Sequence, residues 1–432
     1  MNVGFISLGC AKNKVDSEEI LSYLVRNGFE VVSDPELSDI IIVNTCGFIE
    51  ASKKEAIDTI LEMLTYKKVT VAIGCLVERY YDDLVKEIPE VDLFVPIRDY
   101  YRFGELFQKV VKDRTLEGKI DPTKRVYSTP DYQAYLRISE GCNNCCTYCA
   151  IPLIRGHFRS IPLETLKVEM DELDRKGIKE LVVISQDTTR YGSDLVGQNI
   201  NTCTLLREAL KHESFDYIRL LYLYPDEITD ELIELIGSEK RLTPYFDIPI
   251  QHSVDHVLAD MHRRGNHDFL VNLFKKIREK VSHAILRTTL IVGFPGETEE
   301  DFNELLAFVK ETKFDHLGVF TYSPEEGTIG ATLPNQVPER TKKKRLNQIM
   351  KAQAAISFKA NQQRIGEVID VTITGYDSEN YCYEGMCYIF APDDIDGKLY
   401  IFSDDELEIG KSYKAEIINA SAYDLDCKVI HE

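Results

Sequence analysis

The sequence predicts an α/β protein of several domains, and three observations lead to this fold class. Short apolar runs alternate with helical patterns over about the first 120 residues, and six further β-rich runs alternate with amphipathic helices up to about residue 360. The last 70 or so residues contain only short β-rich runs bounded by turn residues. Alternating strands and helices are typical of parallel sheets, and consecutive short strands are typical of a small barrel. We expect domains at residues 1–120, 128–360 and 361–432.

The composition limits the kind of protein this is. A chain of 432 residues is long enough for several cores, and it contains no apolar run near the roughly 20 residues that span a bilayer. The first residues lack the basic segment of a signal peptide, so we expect a cytoplasmic protein without a membrane partner. In that compartment its 11 cysteines suit metal binding better than disulfides. A net charge of −21 argues against nucleic acid as the main partner.

In the first domain, three apolar runs each lead to a cysteine. The runs and their cysteines are Val3–Leu8 with Cys10, Ile40–Val43 with Cys46, and Val69–Ile73 with Cys75. Helices are predicted between them, at about Asp16–Arg26 and at Ala51–Leu64. This alternation predicts a parallel sheet of flavodoxin-like type, in which the carboxyl ends of the strands share one edge. We therefore expect the three cysteines to meet. Burial accounts for one such cysteine, but three at equivalent strand ends favour a metal cluster.

A second group of cysteines lies in the loop Gly141–Ala150. Cys142, Cys146 and Cys149 form a C-x3-C-x2-C pattern, and three thiolates can hold an iron–sulfur cluster with one iron left open. Cys145 also allows the pairs Cys142/Cys145 and Cys145/Cys149 as ligands. A zinc ribbon would separate its cysteine pairs by a dozen or more residues, and a disulfide fits a long cytosolic chain poorly.

The central segment predicts six parallel strands that curve into an incomplete (β/α)6 barrel. The strands are expected at Tyr135–Ser139, Leu181–Ser185, Tyr217–Tyr222, Tyr245–Ile250, Ala284–Val292 and His316–Tyr322. The cysteine loop leaves the first strand at its carboxyl end, which is the reactive face of barrel folds. Polar candidates follow other strands: Gln186 and Asp187, then Gln251, His252, His262, Arg263 and Arg264. Ordinary loop hydrogen bonding, core packing or solvent exposure is the alternative for each of them.

The turn Gly293-Phe294-Pro295-Gly296-Glu297 follows the fifth strand and opens a helix. Its two glycines would let the backbone approach a ligand, although many such turns contain Gly-Pro for geometry alone. A long helix is predicted at Thr341–Arg364, leading to the last domain.

The last domain predicts a small all-β barrel of oligonucleotide-binding (OB) type. Its strands are expected at Val368–Thr374, Tyr381–Ile389, Lys398–Phe402 and Tyr413–Ala420. From residue 361 onward, 16 acidic residues face 5 basic ones, a net charge of −11. This favours a basic protein partner over RNA, with plain solubility as the alternative. The expected acidic surface consists of Asp393, Asp394, Asp396, Asp404, Asp405, Glu406 and Glu408. We expect buried free thiols at Cys382, Cys387 and Cys427.

The whole chain resembles the methylthiotransferases of the radical S-adenosylmethionine (SAM) superfamily. The resemblance rests on the C-x3-C-x2-C spacing, on the Gly-Phe-Pro-Gly-Glu turn, and on Leu8-Gly9-Cys10-Ala11-Lys12-Asn13, Asn44-Thr45-Cys46 and Gly74-Cys75. It implies SAM and two 4Fe–4S clusters, a SAM-cleaving one on Cys142, Cys146 and Cys149 and an auxiliary one on Cys10, Cys46 and Cys75. It also implies a C-terminal TRAM domain and an electron donor such as flavodoxin or ferredoxin. The implied SAM contacts are Gln186, Asp187, Gln251, Gly293, Gly296 and Glu297.

Two subclasses of that family compete. One modifies an adenosine in tRNA, and the other methylthiolates the β-carbon of an aspartate in the basic small-subunit ribosomal protein S-twelve. The acidic tail and the stretches Gly4–Asn13 and Ile184–Thr188 favour the second subclass. The resemblance implies that one SAM methylates the sulfur, while a second is cleaved to a radical that abstracts the substrate hydrogen. A more distant alternative is an iron–sulfur scaffold or redox protein, because Cys145 could close the first cluster.

Overall fold

A five-stranded parallel sheet opens the chain in the computed structural model, which describes residues 1–430. The strands are β1 (Asn2–Ser7), β2 (Glu30–Val32), β3 (Ile40–Thr45), β4 (Val69–Gly74) and β5 (Leu93–Pro96). Their order, β2-β1-β3-β4-β5, is the flavodoxin-like order that the sequence predicts. The central strand β3 is buried along its whole length, as expected of a parallel strand covered on both faces.

The helices around this sheet are α1 (Ala11–Arg26), α2 (Glu50–Leu64), α3 (Cys75–Arg79), α4 (Tyr81–Glu87) and α5 (Phe103–Phe107). The prediction that α1 begins at about Asp16 was wrong by five residues. Cys10 precedes the helix in an extended conformation and provides no side-chain cap, so the usual start signal is missing from the sequence. As a result α1 begins directly after Cys10, and α3 begins at Cys75.

Six parallel strands form the incomplete barrel that the sequence predicts. In chain order the strands of this segment are β6 (Gln133–Arg137), β7 (Ser139–Glu140), β8 (Arg159–Ser160), β9 (Glu180–Ile184), β10 (Tyr217–Leu220), β11 (Tyr245–Asp247), β12 (Ile285–Val292) and β13 (His316–Thr321). The halves β10-β9-β6 and β11-β12-β13 meet at a parallel bridge between Ile218 and Leu242. The short antiparallel pair β7–β8 brackets the cysteine loop.

Helices alternate with these strands and cover the outside of the barrel. They are α6 (Ile151–Arg155), α7 (Leu163–Arg175), α8 (Thr202–Ala209), α9 (Asp230–Ser238), α10 (Asp255–Asp260), α11 (His267–Lys280), α12 (Glu299–Thr312) and α13 (Glu339–Gln363). The long helix α13 lies within two residues of its predicted bounds and leads into the last domain. In the part of the chain described, no helix is long and apolar enough to cross a membrane.

The C-terminal strands close into a five-stranded barrel of the predicted OB type. They are β14 (Val368–Asp377), β15 (Cys382–Met386), β16 (Leu399–Phe402), β17 (Ser412–Ala420) and β18 (Leu425–Val429), in the order β14-β15-β16-β18-β17. Cys382, Cys387 and Cys427 are buried and not disulfide-bonded, as expected.

The loop between β15 and β16, residues 387–398, enters the amino end of the incomplete barrel, and we call it the plug loop. Arg219 donates hydrogen bonds to the carbonyls of Cys387 (2.9 Å) and Tyr388 (3.2 Å), and His316 Nε2 lies 2.9 Å from the carbonyl of Ile389. His316 is the first residue of β13, so the plug loop lies at the amino ends of the barrel strands. It therefore covers the face opposite to the cysteine loop, which follows the carboxyl end of β6.

Two aspartates of the plug loop correct the predicted acidic surface. Asp396 is only 8% exposed, and it accepts hydrogen bonds from the Tyr245 hydroxyl (2.5 Å) and from Arg287 Nε (3.0 Å). Asp393 accepts one from the Tyr135 hydroxyl (2.7 Å). Both side chains therefore bind the barrel domain to the core, and Asp396 is not available to a partner. Composition counts such residues as surface charge because it does not show their partners.

Candidate active site: two neighbouring cysteine triads

The structure brings Cys10, Cys46 and Cys75 together at the carboxyl edge of the first sheet. Glycines allow the approach: a Cβ on Gly9 would lie 2.9 Å from Cys46 Cβ, and a Cβ on Gly47 would lie 2.6 Å from Leu76 Cα. Cys46 and Cys75 are buried, whereas Cys10 is exposed. We call this group the auxiliary triad.

Asn13 ties the three loops of the auxiliary triad to one another. Its side-chain nitrogen donates to the carbonyls of Leu8 (3.1 Å) and Thr45 (2.9 Å), and its side-chain oxygen accepts from the Cys75 thiol (3.2 Å). Asn44 in turn donates to the Asn13 carbonyl (2.9 Å). Sequence reasoning did not single out Asn13, although it stands three residues after Cys10 in the stretch that carries the family resemblance.

The second group, Cys142, Cys146 and Cys149, is held in a tightly folded loop, and we call it the central triad. Gly141 has a φ of +77°, and a Cβ there would lie 2.2 Å from the His157 carbonyl oxygen. The Cys142 sulfur accepts from the amide of Asn144 (3.5 Å), and the Cys149 sulfur accepts from the amide of Ile151 (3.4 Å).

The surroundings of Cys145 and Cys146 differ. Cys146 Sγ lies 3.5 Å from the Tyr224 hydroxyl and 3.9 Å from Arg263 Nη1. Cys145 is exposed, with a left-handed φ of +52°. Cys146 therefore faces the buried side of the loop with the other two members of the triad, and Cys145 lies toward solvent. Sequence reasoning missed Tyr224, which lies in the irregular segment after β10.

Each triad offers three thiols, the donor set that suits an iron–sulfur cluster with one open iron. Burial raises the pKa of Cys75 to about 12 and also raises the pKa of Cys142 and Cys149. Such thiols form thiolates only when a cation compensates the charge, as iron does. Among residues 1–430, no group of three or more His, Cys, Asp or Glu side chains could hold one metal ion. Cysteines that bind different irons of one cluster lie farther apart than the ligands of one ion.

The two triads are neighbours. Cys75 shares a small buried cluster with Ala150 and Ile154, which lie one and five residues after Cys149 in the chain. Arg155, the last residue of α6, lies with its Nη2 3.3 Å from Cys75 Sγ. Only the short helix α6 and its side chains therefore separate the auxiliary triad from the loop of the central triad.

The two polar residues after β9 have different surroundings. Gln186 donates to Glu140 Oε1 (2.7 Å), whereas its own side-chain oxygen is buried without a hydrogen-bond partner. Asp187 is fully buried and accepts from Asn144 Nδ2 (2.7 Å) and the Thr189 hydroxyl (2.7 Å). Gln186 thus keeps an acceptor for a ligand, while Asp187 holds the cysteine loop through Asn144.

Glu297 is turned into the protein. Its Oε2 accepts from the amide of Gly293 (2.5 Å), and its Oε1 accepts from Arg345 Nη1 (2.8 Å). Burial raises the pKa of Glu297 to about 7, against the opposing effect of Arg345. A Cβ on Gly293 would lie 2.3 Å from Lys342 Cγ, whereas one on Gly296 would meet no atom within 4 Å. The turn therefore packs against α13 at Gly293 and is bound to it through the ion pair of Glu297 with Arg345, whereas the space beside Gly296 is open.

The remaining candidates separate into buried and exposed residues. Gln251 is partly exposed, with a φ of +71° and only a long 3.5 Å side-chain contact to the Pro249 carbonyl. His252 is fully buried, and burial lowers its pKa to about 3, so its ring is neutral at pH 7. His262 is exposed. Arg263 stacks on Tyr224, with its guanidinium carbon 3.8 Å from the ring centre.

Arg264 faces the same side of the site but is half exposed. Its Nε lies 2.7 Å from Asp226 Oδ2, and its Nη2 lies 2.8 Å from Glu227 Oε1. The same Nη2 lies 3.3 Å from Asn144 Oδ1 in the cysteine loop. Arg264 therefore contributes to the charge balance at the rim of the site.

Three parts of the chain match known protein families. Residues 2–96 match the Uncharacterized protein family UPF0004, residues 136–309 match the Radical SAM superfamily, and residues 365–430 match the TRAM domain. A structure of the radical SAM methyltransferase TsrM from Kitasatospora setae shares the fold, with a TM-score of 0.54 at 14% identity. The similarity covers 74% of this chain and 72% of that one.

Two relatives cover almost the whole chain. The ribosomal protein uS12 methylthiotransferase RimO of Alkaliphilus oremlandii is 46% identical, and the match covers 98% of each chain. RimO of Geotalea uraniireducens is 45% identical, over 99% of this chain and 98% of the relative. Similarity of this extent over nearly the whole length of each chain shows the family. The chain belongs to the uS12 methylthiotransferase family of radical SAM enzymes, whose cofactors are SAM and 4Fe–4S clusters.

Proposed function

We propose that this chain methylthiolates the β-carbon of an aspartate in ribosomal protein uS12, the protein S-twelve of the small subunit. The observation that carries the proposal is the adjacency of the two triads, with Cys75 packed against Ala150 and Ile154. A sulfur carried at one site can reach a substrate carbon activated at the other only if both sites open on the same space. When bound, the clusters and SAM supply the radical and the methylated sulfur, and the protein holds them and the substrate in register.

We propose Cys142, Cys146 and Cys149 as ligands of the SAM-cleaving cluster, and Cys10, Cys46 and Cys75 as ligands of the auxiliary cluster. The orientation of Cys145 supports its exclusion, because its side chain lies toward solvent whereas Cys146 lies beside Tyr224 and Arg263. The positive end of α1 favours negative charge at the auxiliary triad, since this helix begins directly after Cys10.

For SAM we propose contacts from Gln186 and Gln251 and from the turn at Gly293 and Gly296. The unpartnered oxygen of Gln186 supports the first of these. Asp187 and Glu297, which the family resemblance implies as further SAM contacts, also position the loops around the site. Their carboxylate oxygens already accept hydrogen bonds from Asn144, Thr189, Arg345 and backbone amides.

We also propose the surroundings in which the enzyme works. The substrate is basic, and the exposed acids of the C-terminal barrel complement it. The proposed reductant is a flavodoxin or ferredoxin, and the proposed location is the cytoplasm. We propose domains at 1–120, 128–360 and 361–432; the first boundary lies between α5 and β6, and the second lies within α13, three residues before its end.

The test is the intact mass of uS12 from cells with and without this chain. We expect the mass to fall by one methylthio increment when the chain is absent, and to be restored by the wild type and by Cys145→Ala but not by Cys46→Ala. An unchanged mass would refute the proposed substrate. Digested tRNA from the same cells would then show whether an adenosine is modified instead.

A further inference from the structure

Arg155 occupies the boundary between the two triads. It is 5% exposed, and its guanidinium has two differently occupied edges. Nη1 lies 2.7 Å from Asp16 Oδ2 and 3.3 Å from Glu140 Oε2. Nη2 donates to the Asn13 side-chain oxygen and lies 3.3 Å from Cys75 Sγ. One edge is therefore held by carboxylates, while the other faces a neutral amide and a thiol.

The carboxylates near Arg155 are shared with a second arginine. Arg137 also pairs with Asp16, and it lies 2.7 Å from Glu19 Oε1 and 3.2 Å from Glu140 Oε2. This network fixes the guanidinium of Arg155 from the side away from the auxiliary triad. A neutral thiol is a weak hydrogen-bond acceptor, so a buried cation aimed at Cys75 is better matched by a negatively charged sulfur ligand.

We propose that Arg155 is a positioning residue of the auxiliary site, which stabilises the reduced form of a cluster held by Cys10, Cys46 and Cys75. The inference rests on the proposed function, because it assigns a role toward that cluster. Reduction adds one electron to the cluster from an external reductant. A buried cation next to a ligand sulfur favours the added negative charge, and charges and hydrogen bonds at the sulfurs set cluster potentials.

Arg155 also fixes the separation of the two sites. It belongs to α6, which follows Cys149, and it contacts Asn13 and Asp16 of α1. Its side chain therefore connects the loop of the central triad to the helix that follows Cys10.

The experiment isolates the auxiliary cluster. In a protein with Cys142, Cys146 and Cys149 changed to Ala, the reconstituted cluster is titrated with a reductant and followed by its visible absorption. We expect Arg155→Gln to shift its reduction potential to a more negative value, and Arg155→Lys to shift it less. Iron and sulfide content per chain are measured in parallel.

Arg125→Gln is the matched control. Arg125 is also buried, and it joins α1 to the incomplete barrel through Glu18 and Glu169. The structure gives it no cysteine contact within residues 1–430. A loss of packing alone would shift the potential in both variants. Because Arg125 does not contact the auxiliary triad, we expect Arg125→Gln to retain the potential of the parent protein.

Two results would overturn the inference. One is an Arg155→Gln protein with full cluster content and the potential of the parent, and the other is an equal shift in Arg125→Gln. If Arg155→Gln does not fold, Arg155→Met decides, because it also removes the charge, and an unchanged potential in that variant overturns the role. A parent protein that holds no cluster, or one that persists after Cys46→Ala, would instead refute the proposed auxiliary site itself.

Discussion

Asp396→Ala should loosen the C-terminal barrel from the rest of the protein. Its carboxylate is the main polar anchor of the plug loop: Oδ2 accepts from the Tyr245 hydroxyl at 2.5 Å and from the amide of Ala391 at 2.9 Å. Oδ1 accepts from Arg287 Nε at 3.0 Å. The substitution therefore leaves a hydroxyl, an amide and part of a guanidinium without their acceptor.

The cost follows from these contacts. Removing one member of a buried ion pair costs about 3–5 kcal/mol. Arg287 keeps Asp247 as a partner, with Nη1 2.8 Å from Oδ1, so we expect the lower end of this range, about 3 kcal/mol. Because each 1.4 kcal/mol is a factor of ten, the barrel should be released roughly 100-fold more often.

Limited proteolysis measures this release. The segment after α13 that joins it to β14, residues 364–367, should become a cleavage site when the barrel leaves the core. When opening is fast relative to cleavage, the cleavage rate follows the population of the open form. Asp394→Ala is the control, because its side chain is 66% exposed and pairs only loosely with Lys398, at 3.5 Å. An exposed pair of this kind contributes about 0–1 kcal/mol.

Equal cleavage rates in Asp396→Ala and Asp394→Ala would refute the reasoning. They would mean that the other contacts of the plug loop are sufficient to hold it in the barrel. A rate that rises only in Asp396→Ala, with unchanged unfolding of the rest of the protein, is the expected result.

Three further predictions concern the clusters, pH and the substrate surface. Cys145→Ala should keep the iron content and SAM cleavage of the wild type, whereas Cys146→Ala should lose SAM cleavage. Iron analysis and the release of 5′-deoxyadenosine measure these two properties. The opposite pattern would mean that Cys145 is the ligand. Burial alone would raise the pKa of Asp396, but the nearby His316 and Arg287 outweigh this effect and lower the pKa below its ordinary value of 3.8. The contribution of Asp396 to barrel docking should therefore be full above about pH 4 and decline as the pH falls further. In acid unfolding, the stabilities of the wild type and Asp396→Ala should differ above that pH and become equal as the pH falls below it. Changing Asp404, Asp405 and Glu406 to Lys should weaken uS12 binding several-fold at low salt, and the difference from the wild type should shrink above about 0.15 M salt. Titration calorimetry at two salt concentrations checks this. Binding that does not depend on salt would leave these acids a role in solubility only.

The outcome of the sequence predictions depended on how local their signals were. Strand ends and cysteine spacings are local, so the flavodoxin-like order, the six parallel strands and the closed C-terminal barrel could be predicted. The start of α1 could not, because Cys10 gives no capping signal. Asp396 was expected at the surface, and its burial could not be predicted because its partners Tyr245 and Arg287 lie more than 100 residues away in the chain.

Glu297 shows the same limit at the site. Its turn was expected from the family resemblance to lie near the cofactor, yet whether its carboxylate faces a ligand or Arg345 depends on how α13 packs 48 residues later. Asn13 and Arg155 were not predicted either. The bond from Arg155 to Cys75 spans 80 residues, and no pattern in the sequence around either residue indicates the other.

The sequence by itself determined the elements, the two sets of cysteines and the chemistry that those thiols favour. These depend on residue type and on short spacings, which a chain carries whatever its packing. Only the tertiary structure decided that the triads lie on either side of α6, that Arg155 lies between them, and that the plug loop closes the opposite face of the barrel. Such contacts join residues far apart in the chain, and they form because burying apolar surface fixes the relative positions of the domains.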